Sequence, residues 1–366
     1  MMPIASGMRL EHKTVFVLGA GFTKAFVPNA PLLVDDYGGQ DLLRQLKALP
    51  AASKILENEL RLSSKGLIDL ERIMTRLYSR LPYDAESEVS NEFGLLLDRL
   101  TEAFQERLRV AKKKVVHAED LKAFAAVCGR RSISCITFNY DDVLDEALYQ
   151  VKRNISPTSV SLSPRAWNLD RGYGFFCRSS VTILGADPYI DVFPSTLLLL
   201  KLHGSVNWRV ALGSRPPYRT ENLVHHETWS RSAVHPYPSL QDAEAHLEPS
   251  PIVVPPVLAK DNLLKEPFVR VVWARARELL SAAQMVVFVG YSLPLTDIAS
   301  RYLFSEAISP DARVEVVNYA RKPKEEEAIR AAYRQVIPGL RYDQFHFGGA
   351  LEWARQLAQR YDEVEA

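Results

Sequence analysis

Cysteines, net charge and long apolar segments are all scarce in this sequence. The three cysteines, at positions 128, 135 and 177, form no CxxC pair, which excludes a disulfide framework and a four-cysteine zinc ribbon. Lysine and arginine together number 45 and aspartate and glutamate 44, a balance that argues against a dedicated nucleic-acid-binding protein. The longest apolar runs, such as 196–200 and 285–289, are too short to span a bilayer, and residues 1–13 lack the apolar h-region expected of a secretory signal. We expect a cytoplasmic protein with no membrane segment and no direct nucleic-acid contacts.

Short apolar segments typical of buried parallel strands alternate with helical patterns along the 366 residues. The segments predicted as strands are 14–18, 132–138, 197–202, 285–290 and 313–318, with an edge strand at 342–347. Helical periodicity covers 41–110 and returns at 267–283, 325–336 and 351–361. This alternation predicts an α/β fold with a Rossmann-like, doubly wound, mostly parallel sheet. We expect one domain over 1–366, with a helical insertion at about 41–115 and irregular loop insertions at about 152–195 and 210–250.

The residues that follow each predicted strand are the candidates for a site, because ligands of open parallel sheets bind outside the carboxyl ends of the strands. These candidates occur at 19–21, 139–141, 203–204, 290–292 and 318. The first of them, Gly19-Ala20-Gly21 with Thr23, lies between a strand and a short helix. Such glycines either let the backbone approach a pyrophosphate or form a plain tight turn. The full GxGxxG fingerprint fails here, since Lys24 occupies the position of the third glycine.

Asn139, Asp141 and Asp142 follow the second strand of the site, and His203 follows the third. Asparagine and aspartate at a strand-to-helix junction are common helix caps, so Asn139 either caps or faces the crevice. A histidine suits proton transfer because its pKa lies near neutrality, although a strand-end histidine is often structural. Both Asn139 and His203 are expected outside the hydrophobic core.

The fourth strand end, Gly290-Tyr291-Ser292, resembles the nucleophile elbow of hydrolases, but Pro294 replaces its final glycine. Thr296 or Asp297 is interpreted as a cap of the next helix. The four histidines at 225, 226, 235 and 246 match no metal-site spacing and are interpreted as solvated loop residues. No metal site is therefore expected.

The order of these motifs resembles that of the sirtuin family of NAD-consuming enzymes. GAG, T-x-N-x-D, L-H-G and G-x-S-L occur here at 19–21, 137–141, 202–204 and 290–293, with an asparagine at 318. Two features depart from sirtuin deacylases: the zinc ribbon is missing, and Phe138 replaces the usual glutamine. With the helical block at 41–110, the chain looks like the sirtuin-like branch of bacterial anti-phage defence, whose members degrade NAD.

The resemblance implies a role for each matching position. Asn139 and His203 would be catalytic, Asn139 on the nicotinamide ribose and His203 as general base. Asp141 would contact the nicotinamide carboxamide. The remaining residues would bind NAD through its pyrophosphate (Gly19, Ala20, Gly21 and Thr23) or its adenosine half (Gly290, Ser292 and Asn318).

The resemblance thus predicts an NAD glycohydrolase that uses NAD as its substrate, needs no metal and depletes NAD in anti-phage defence. The alternatives are a zinc-free NAD-dependent protein deacylase and a non-catalytic sensor of NAD or ADP-ribose. Since unregulated NAD cleavage is toxic, we expect a homo-oligomer or an assembly with a partner defence protein such as an ATPase.

Overall fold

A six-stranded sheet in which every neighbouring pair is parallel forms the centre of the structure. The computed structural model describes residues 13–31, 44, 46–62, 70–79, 90–113, 117–151, 166–179, 195, 197–225, 246–248, 250–254 and 266–363. The strands are β1 (Thr14–Leu18), β2 (Ser134–Thr137), β3 (Arg178–Ser179), β4 (Leu199–Lys201), β5 (Gly204–Ser205), β6 (Trp208–Val210), β7 (Leu223–His225), β8 (Ile252–Val253), β9 (Met285–Val289), β10 (Arg313–Val317) and β11 (Phe345–His346). The helices are α1 (Ala20–Phe26), α2 (Pro50–Leu62), α3 (Leu70–Tyr78), α4 (Ser90–Lys112), α5 (Ala118–Arg131), α6 (Val143–Gln150), α7 (Pro267–Ala282), α8 (Ile298–Ala307), α9 (Pro323–Val336) and α10 (Ala350–Glu363).

The strand order places a topological switch point between β1 and β9. The order across the sheet is β11-β10-β9-β1-β2-β4, so the chain runs outward from β1 in one direction and later returns to the other side of β1. In doubly wound sheets the crevice lies where the strand order reverses, at the carboxyl ends of the strands. The predicted doubly wound α/β fold is confirmed, and the glycine turns after β1 and β9 flank this switch point.

Helices cover both faces of the sheet, which explains why its central strands are apolar throughout. Phe16 of β1 contacts Phe124 of α5 and Trp353 of α10, with ring centroids 5.6 and 5.3 Å apart. On the other face, Phe288 of β9 contacts Phe304 of α8 and Tyr333 of α9, at 4.9 and 5.0 Å. Burial on both faces removes the alternation of polar and apolar residues that a half-exposed strand shows.

The helical insertion has a hydrophobic cluster of its own, formed by α2, α3, α4 and the residues just before α2. Its buried members are Leu46, Leu49, Ala52, Leu56, Ile73, Met74, Leu77, Leu96 and Leu100. Polar contacts join α4 to the carboxyl edge of the sheet: Lys112 Nζ lies 3.0 Å from Asp142, and Gln105 Nε2 donates to the Val206 carbonyl at 2.9 Å. The insertion is thereby fixed beside two of the strand-end loops.

The structure differs from the sequence prediction mainly in the loop insertions. Strand β3 and strand β7 lie within the segments predicted to be irregular and pair with each other in a small second sheet with β6. Strands of two or three residues are too short to produce a readable period, which explains why the pattern missed them. Most of 152–195 and 226–245 lies outside the described residues. In the described part of the chain, no helix combines the length and the apolar character that crossing a membrane requires.

Candidate functional site

Two glycine turns interlock at the switch point. The N–H of Gly21 donates to the Gly290 carbonyl at 2.9 Å, and the N–H of Gly19 donates to the Val289 carbonyl at 3.1 Å. A Cβ atom at Gly290 would lie 2.3 Å from the Phe22 nitrogen, and one at Gly19 would lie 2.5 Å from the Gly290 oxygen. The backbones therefore approach too closely for any side chain, and glycine is required on both sides of the contact.

This packing uses most of the donors that a phosphate cradle would offer. The N–H groups of Gly19, Gly21 and Phe22 are all donated to carbonyl groups of the protein. Ala20 is exposed, and among the described residues no carbonyl accepts a hydrogen bond from its N–H. The turn therefore joins β1 to β9, and at its exposed side it offers one backbone donor at the start of α1.

Hydrogen bonds fix the amide of Asn139 so that its side-chain oxygen can accept a hydrogen bond from a ligand. Its Nδ2 donates to the Gly19 carbonyl at 2.9 Å and to the Thr23 hydroxyl at 3.0 Å. The carbonyl can only accept, so this contact fixes which end of the amide faces the glycine turn. Both amide hydrogens are thus occupied, and within the described part of the chain no donor reaches Oδ1. The half-buried Asn139 therefore presents a hydrogen-bond acceptor beside the switch point.

Asp141 is a buried support for Asn139 and for the helix that follows. Its Oδ2 accepts from the Thr23 hydroxyl at 2.7 Å, and its Oδ1 accepts from the Val143 N–H at the start of α6 at 3.1 Å. Burial raises the pKa of Asp141, while the Lys201 charge and the Thr23 hydroxyl oppose that rise. The cap position of α6 is occupied by Asp142, whose side chain forms no capping hydrogen bond, and Asp141 just before it accepts from the first N–H of the helix instead. The side chains of Thr23 and Asp141 are both already engaged within the protein.

His203 is packed among aromatic rings next to a buried carboxylate. Its ring contacts Phe138 edge-on at 5.2 Å and Tyr140 at 6.3 Å, and its Nε2 lies 3.8 Å from Oδ2 of Asp297. Only 6% of His203 is exposed, so the expectation that it lies outside the core is wrong. The short segment after β4 turns inward beneath Phe138 instead of projecting into solvent.

The loop after β9 supplies the residues that surround Asp297. The Tyr291 hydroxyl donates to Asp297 Oδ2 at 3.1 Å, and the Tyr291 ring stacks on Phe138 at 4.5 Å. Burial and the Asp297 charge raise the pKa of Tyr291, so the phenol keeps its proton. Asn318 Nδ2 donates to the Tyr291 carbonyl at 3.1 Å and braces the loop from β10.

The structure brings Asn139 to the glycine turn and His203 to Asp297. Phe138, which precedes Asn139 in the chain, contacts the ring of His203 and so connects the two groups. Ser292 is exposed and, among the described residues, forms no hydrogen bond to His203, so the geometry does not favour a serine nucleophile. Sequence reasoning missed Lys201, which is buried beneath Asp141, and gave Asp297 a capping role alone. The signal for Lys201 was present, because a charged residue inside an apolar strand needs a partner.

Comparison with solved structures finds chains described as Sir2 homologues. A Sir2 homologue in complex with NAD is 13% identical, with coverage of 96% of this chain and 90% of its own, at a TM-score of 0.44. A mutant Sir2 homologue in complex with ADP-ribose is 13% identical over 96% and 92% of the two chains, at 0.39. A Sir2 protein bound to a propionylated peptide is 12% identical over 95% and 93%, at 0.35.

No protein-family model and no curated protein matches the chain.

Among the described histidines of the group predicted to be solvated, His225 departs from the prediction. His225 lies on β7, fully buried, stacked on Tyr173 at 5.7 Å with Nε2 3.0 Å from the Asn207 amide. The small second sheet draws it inward, so the prediction of a solvated residue is wrong for His225. His246 is exposed, and His226 and His235 lie outside the described residues. Across the described ranges, no three histidine, cysteine or acidic residues are grouped as metal ligands.

Proposed function

We propose that the chain binds NAD at the switch point and hydrolyses the bond between nicotinamide and ribose, giving nicotinamide and ADP-ribose. The observation that carries this proposal is the fixed carboxamide of Asn139. Its two N–H groups are donated to Gly19 and Thr23, which leaves Oδ1 as an acceptor at the place where doubly wound sheets bind dinucleotides.

Hydrolysis of the nicotinamide–ribose bond depends on groups that accept hydrogen bonds from the ribose hydroxyls and the attacking water. It does not require a strong nucleophile on the protein. Cleavage of an N-glycosidic bond passes through an oxocarbenium-like state, as glycoside hydrolysis does. Nicotinamide leaves with the electron pair of the broken C–N bond, and a water oxygen forms the new bond to the ribose carbon. Asn139 Oδ1 orients the ribose hydroxyls and the water by accepting their hydrogen bonds. His203 takes the proton that the water gives up and releases it to solvent.

The other residues predicted to bind NAD are also part of this proposal, but Thr23 and Asp141 support Asn139 and do not contact NAD themselves. Gly19, Ala20 and Gly21 approach the pyrophosphate through their backbone, with Ala20 as the donor. Thr23 and Asp141 act from beneath Asn139, because their side chains already bond to each other. The adenosine half lies along the loops after β9 and β10, where the proposed ligands are Gly290, Ser292 and Asn318.

Product analysis of the purified protein tests the proposal and separates it from the alternatives. The protein is incubated with NAD alone and with NAD plus an acyl-lysine peptide, and nicotinamide, ADP-ribose and acyl-ADP-ribose are quantified. A hydrolase releases ADP-ribose without peptide. Nicotinamide release that requires peptide and yields acyl-ADP-ribose would identify a deacylase. Binding of NAD or ADP-ribose without turnover in either arm would identify a sensor.

We extend the proposal to anti-phage defence by NAD depletion, with activity controlled through a homo-oligomer or a partner protein. It rests on the motif resemblance and on the toxicity expected of free NAD cleavage. The test is to infect bacteria that express the wild type or Asn139→Ala and to follow intracellular NAD and phage yield. Loss of NAD and of phage yield with the wild type alone supports the role. Equal phage yields with both proteins contradict it.

A further inference from the structure

Lys201 is a fully buried charge within the apolar strand β4. Its side chain is 0% exposed, and its Nζ lies 3.1 Å from Oδ2 of Asp145 on α6. The same Nζ donates a hydrogen bond to the main-chain carbonyl of Asp141. The ammonium group thus connects β4 to the loop between β2 and α6, which carries Asn139 and Asp141.

Asp145 has enough other partners to remain anchored independently of Lys201. Its Oδ1 accepts from the Tyr173 hydroxyl at 2.6 Å and from the Asn207 amide at 3.3 Å. Well-packed apolar residues stabilise a fold as much as a buried ion pair does, or more. Stability alone therefore does not account for a lysine at this position, whereas its bond to the site loop does.

Hydrogen bonds on either side of Asp141 connect Lys201 to Asn139, with the covalent frame of Asp141 as the middle link. Lys201 holds the carbonyl of Asp141, and the carboxylate of Asp141 accepts from Thr23 at 2.7 Å. The Thr23 oxygen in turn accepts from Asn139 Nδ2 at 3.0 Å. The hydroxyl of Thr23 gives its single proton to Asp141, so its oxygen must face the Asn139 amide as an acceptor.

We propose that Lys201 is a positioning residue that fixes the orientation of the Asn139 carboxamide through Asp141 and Thr23. The inference rests on the proposed function, because it assigns Asn139 Oδ1 the task of orienting the ribose and the water. Lys201 touches no substrate in this scheme. Without its ammonium the carbonyl of Asp141 loses its donor, the loop shifts, and Asn139 no longer holds one orientation.

The experiment compares three variants with the wild type. The double variant Lys201→Met/Asp145→Asn removes both buried charges together and keeps an acceptor for Tyr173. Asp145→Asn alone keeps the Lys201 amino group as a donor to the Asp141 carbonyl, and it lowers stability because the buried lysine loses its carboxylate partner. Lys122→Met makes the same chemical change at a half-exposed position on α5. Melting temperature, kcat and KM for NAD are measured at a temperature where all four proteins are folded.

We expect the double variant to melt close to the wild type while its kcat falls roughly 10- to 100-fold, with KM changed less than about twofold. Asp145→Asn and Lys122→Met should retain most of the wild-type kcat. A folded double variant with wild-type kcat overturns the proposal, and so does a rise in KM at unchanged kcat, which would indicate substrate binding. A double variant that fails to fold shows that the ion pair is needed for stability and also overturns it.

A second measurement does not depend on turnover. Hydrogen exchange of the Asn139 side-chain amide, followed by NMR, should be slow in the wild type and at least about tenfold faster in the double variant, since both N–H groups are bonded only while the loop is fixed. Equal exchange rates refute the positioning role. If the wild type cleaves no NAD but the exchange rates differ as expected, the proposed function fails and the positioning of Asn139 stands.

Discussion

Replacing Gly290 by alanine tests the interlocked glycine turns that bring β1 and β9 together. Gly290 has a φ of +63°, and an added Cβ would lie 2.3 Å from the Phe22 nitrogen and 2.5 Å from the Gly21 carbonyl carbon. These atoms belong to the backbone and cannot rotate away. Gly339 offers a matched control, because it has a φ of +93° and nothing within 4 Å of the added Cβ.

Both substitutions lower the free energy of unfolding through backbone strain, and only Gly290→Ala adds a steric clash. A non-glycine residue at positive φ costs roughly 1 to 2 kcal/mol in either variant. Overpacking adds about 1 to 3 kcal/mol at Gly290 alone. We therefore expect the free energy of unfolding to fall by roughly 2 to 5 kcal/mol for Gly290→Ala and by about 1 to 2 kcal/mol for Gly339→Ala.

Urea unfolding of both variants measures this difference, and NAD turnover provides a second readout. Gly290→Ala should also lose activity at temperatures where it remains folded, because the turn that meets Asn139 must move. Gly339→Ala should keep its activity. Equal losses of unfolding free energy in the two variants would falsify the close approach of the turns.

Two further predictions concern charged residues near the site. Lys112→Met should lower the free energy of unfolding by roughly 1 to 2 kcal/mol, because Lys112 Nζ lies 3.0 Å from Asp142 and 2.9 Å from Glu146. Burial lowers the pKa of Lys112, but these carboxylates raise it above its ordinary value overall, so the loss should be constant from pH 6 to about 9. Lys122→Met, at a half-exposed pair, should cost less than about 1 kcal/mol, and an equal loss would contradict the prediction. Burial raises the pKa of Asp141, so the folded state binds this proton more tightly than the unfolded state does. The wild type should lose stability relative to Asp141→Asn as the pH rises from about 4 through the raised pKa, and a pH-independent difference from pH 4 to about 7 would refute it.

The arrangement of the sheet could be predicted from the sequence because its strands are continuous apolar segments between helical patterns. The bounds of β1 match the prediction, and those of β9 differ by a single residue. The meeting of Asn139 with the glycine turn followed from the same logic, since parallel strands end at one edge. That contact is present at 2.9 Å between Asn139 Nδ2 and the Gly19 carbonyl.

The details of the site could not be predicted, because they depend on which side chains meet across distant segments. The Thr23 hydroxyl and Asp141 are 118 positions apart, and no spacing rule relates them. The same applies to the burial of His225, which requires the small second sheet, and to the Asp297 carboxylate beside His203. The sequence identifies residue types at strand ends, whereas their hydrogen-bond partners follow from tertiary packing.

The most direct test of the central claim is NAD turnover by Asn139→Ala and His203→Ala, measured beside their melting temperatures. Asn139→Ala loses two hydrogen bonds and should cost about 1 to 3 kcal/mol of stability. His203→Ala leaves space beside Phe138 and should cost a similar amount. We predict that each variant folds and that each loses about 10²-fold or more in the rate of nicotinamide release. Near-wild-type turnover in either variant, or a loss that only follows the melting temperature, would contradict the assignment of this edge as the catalytic site.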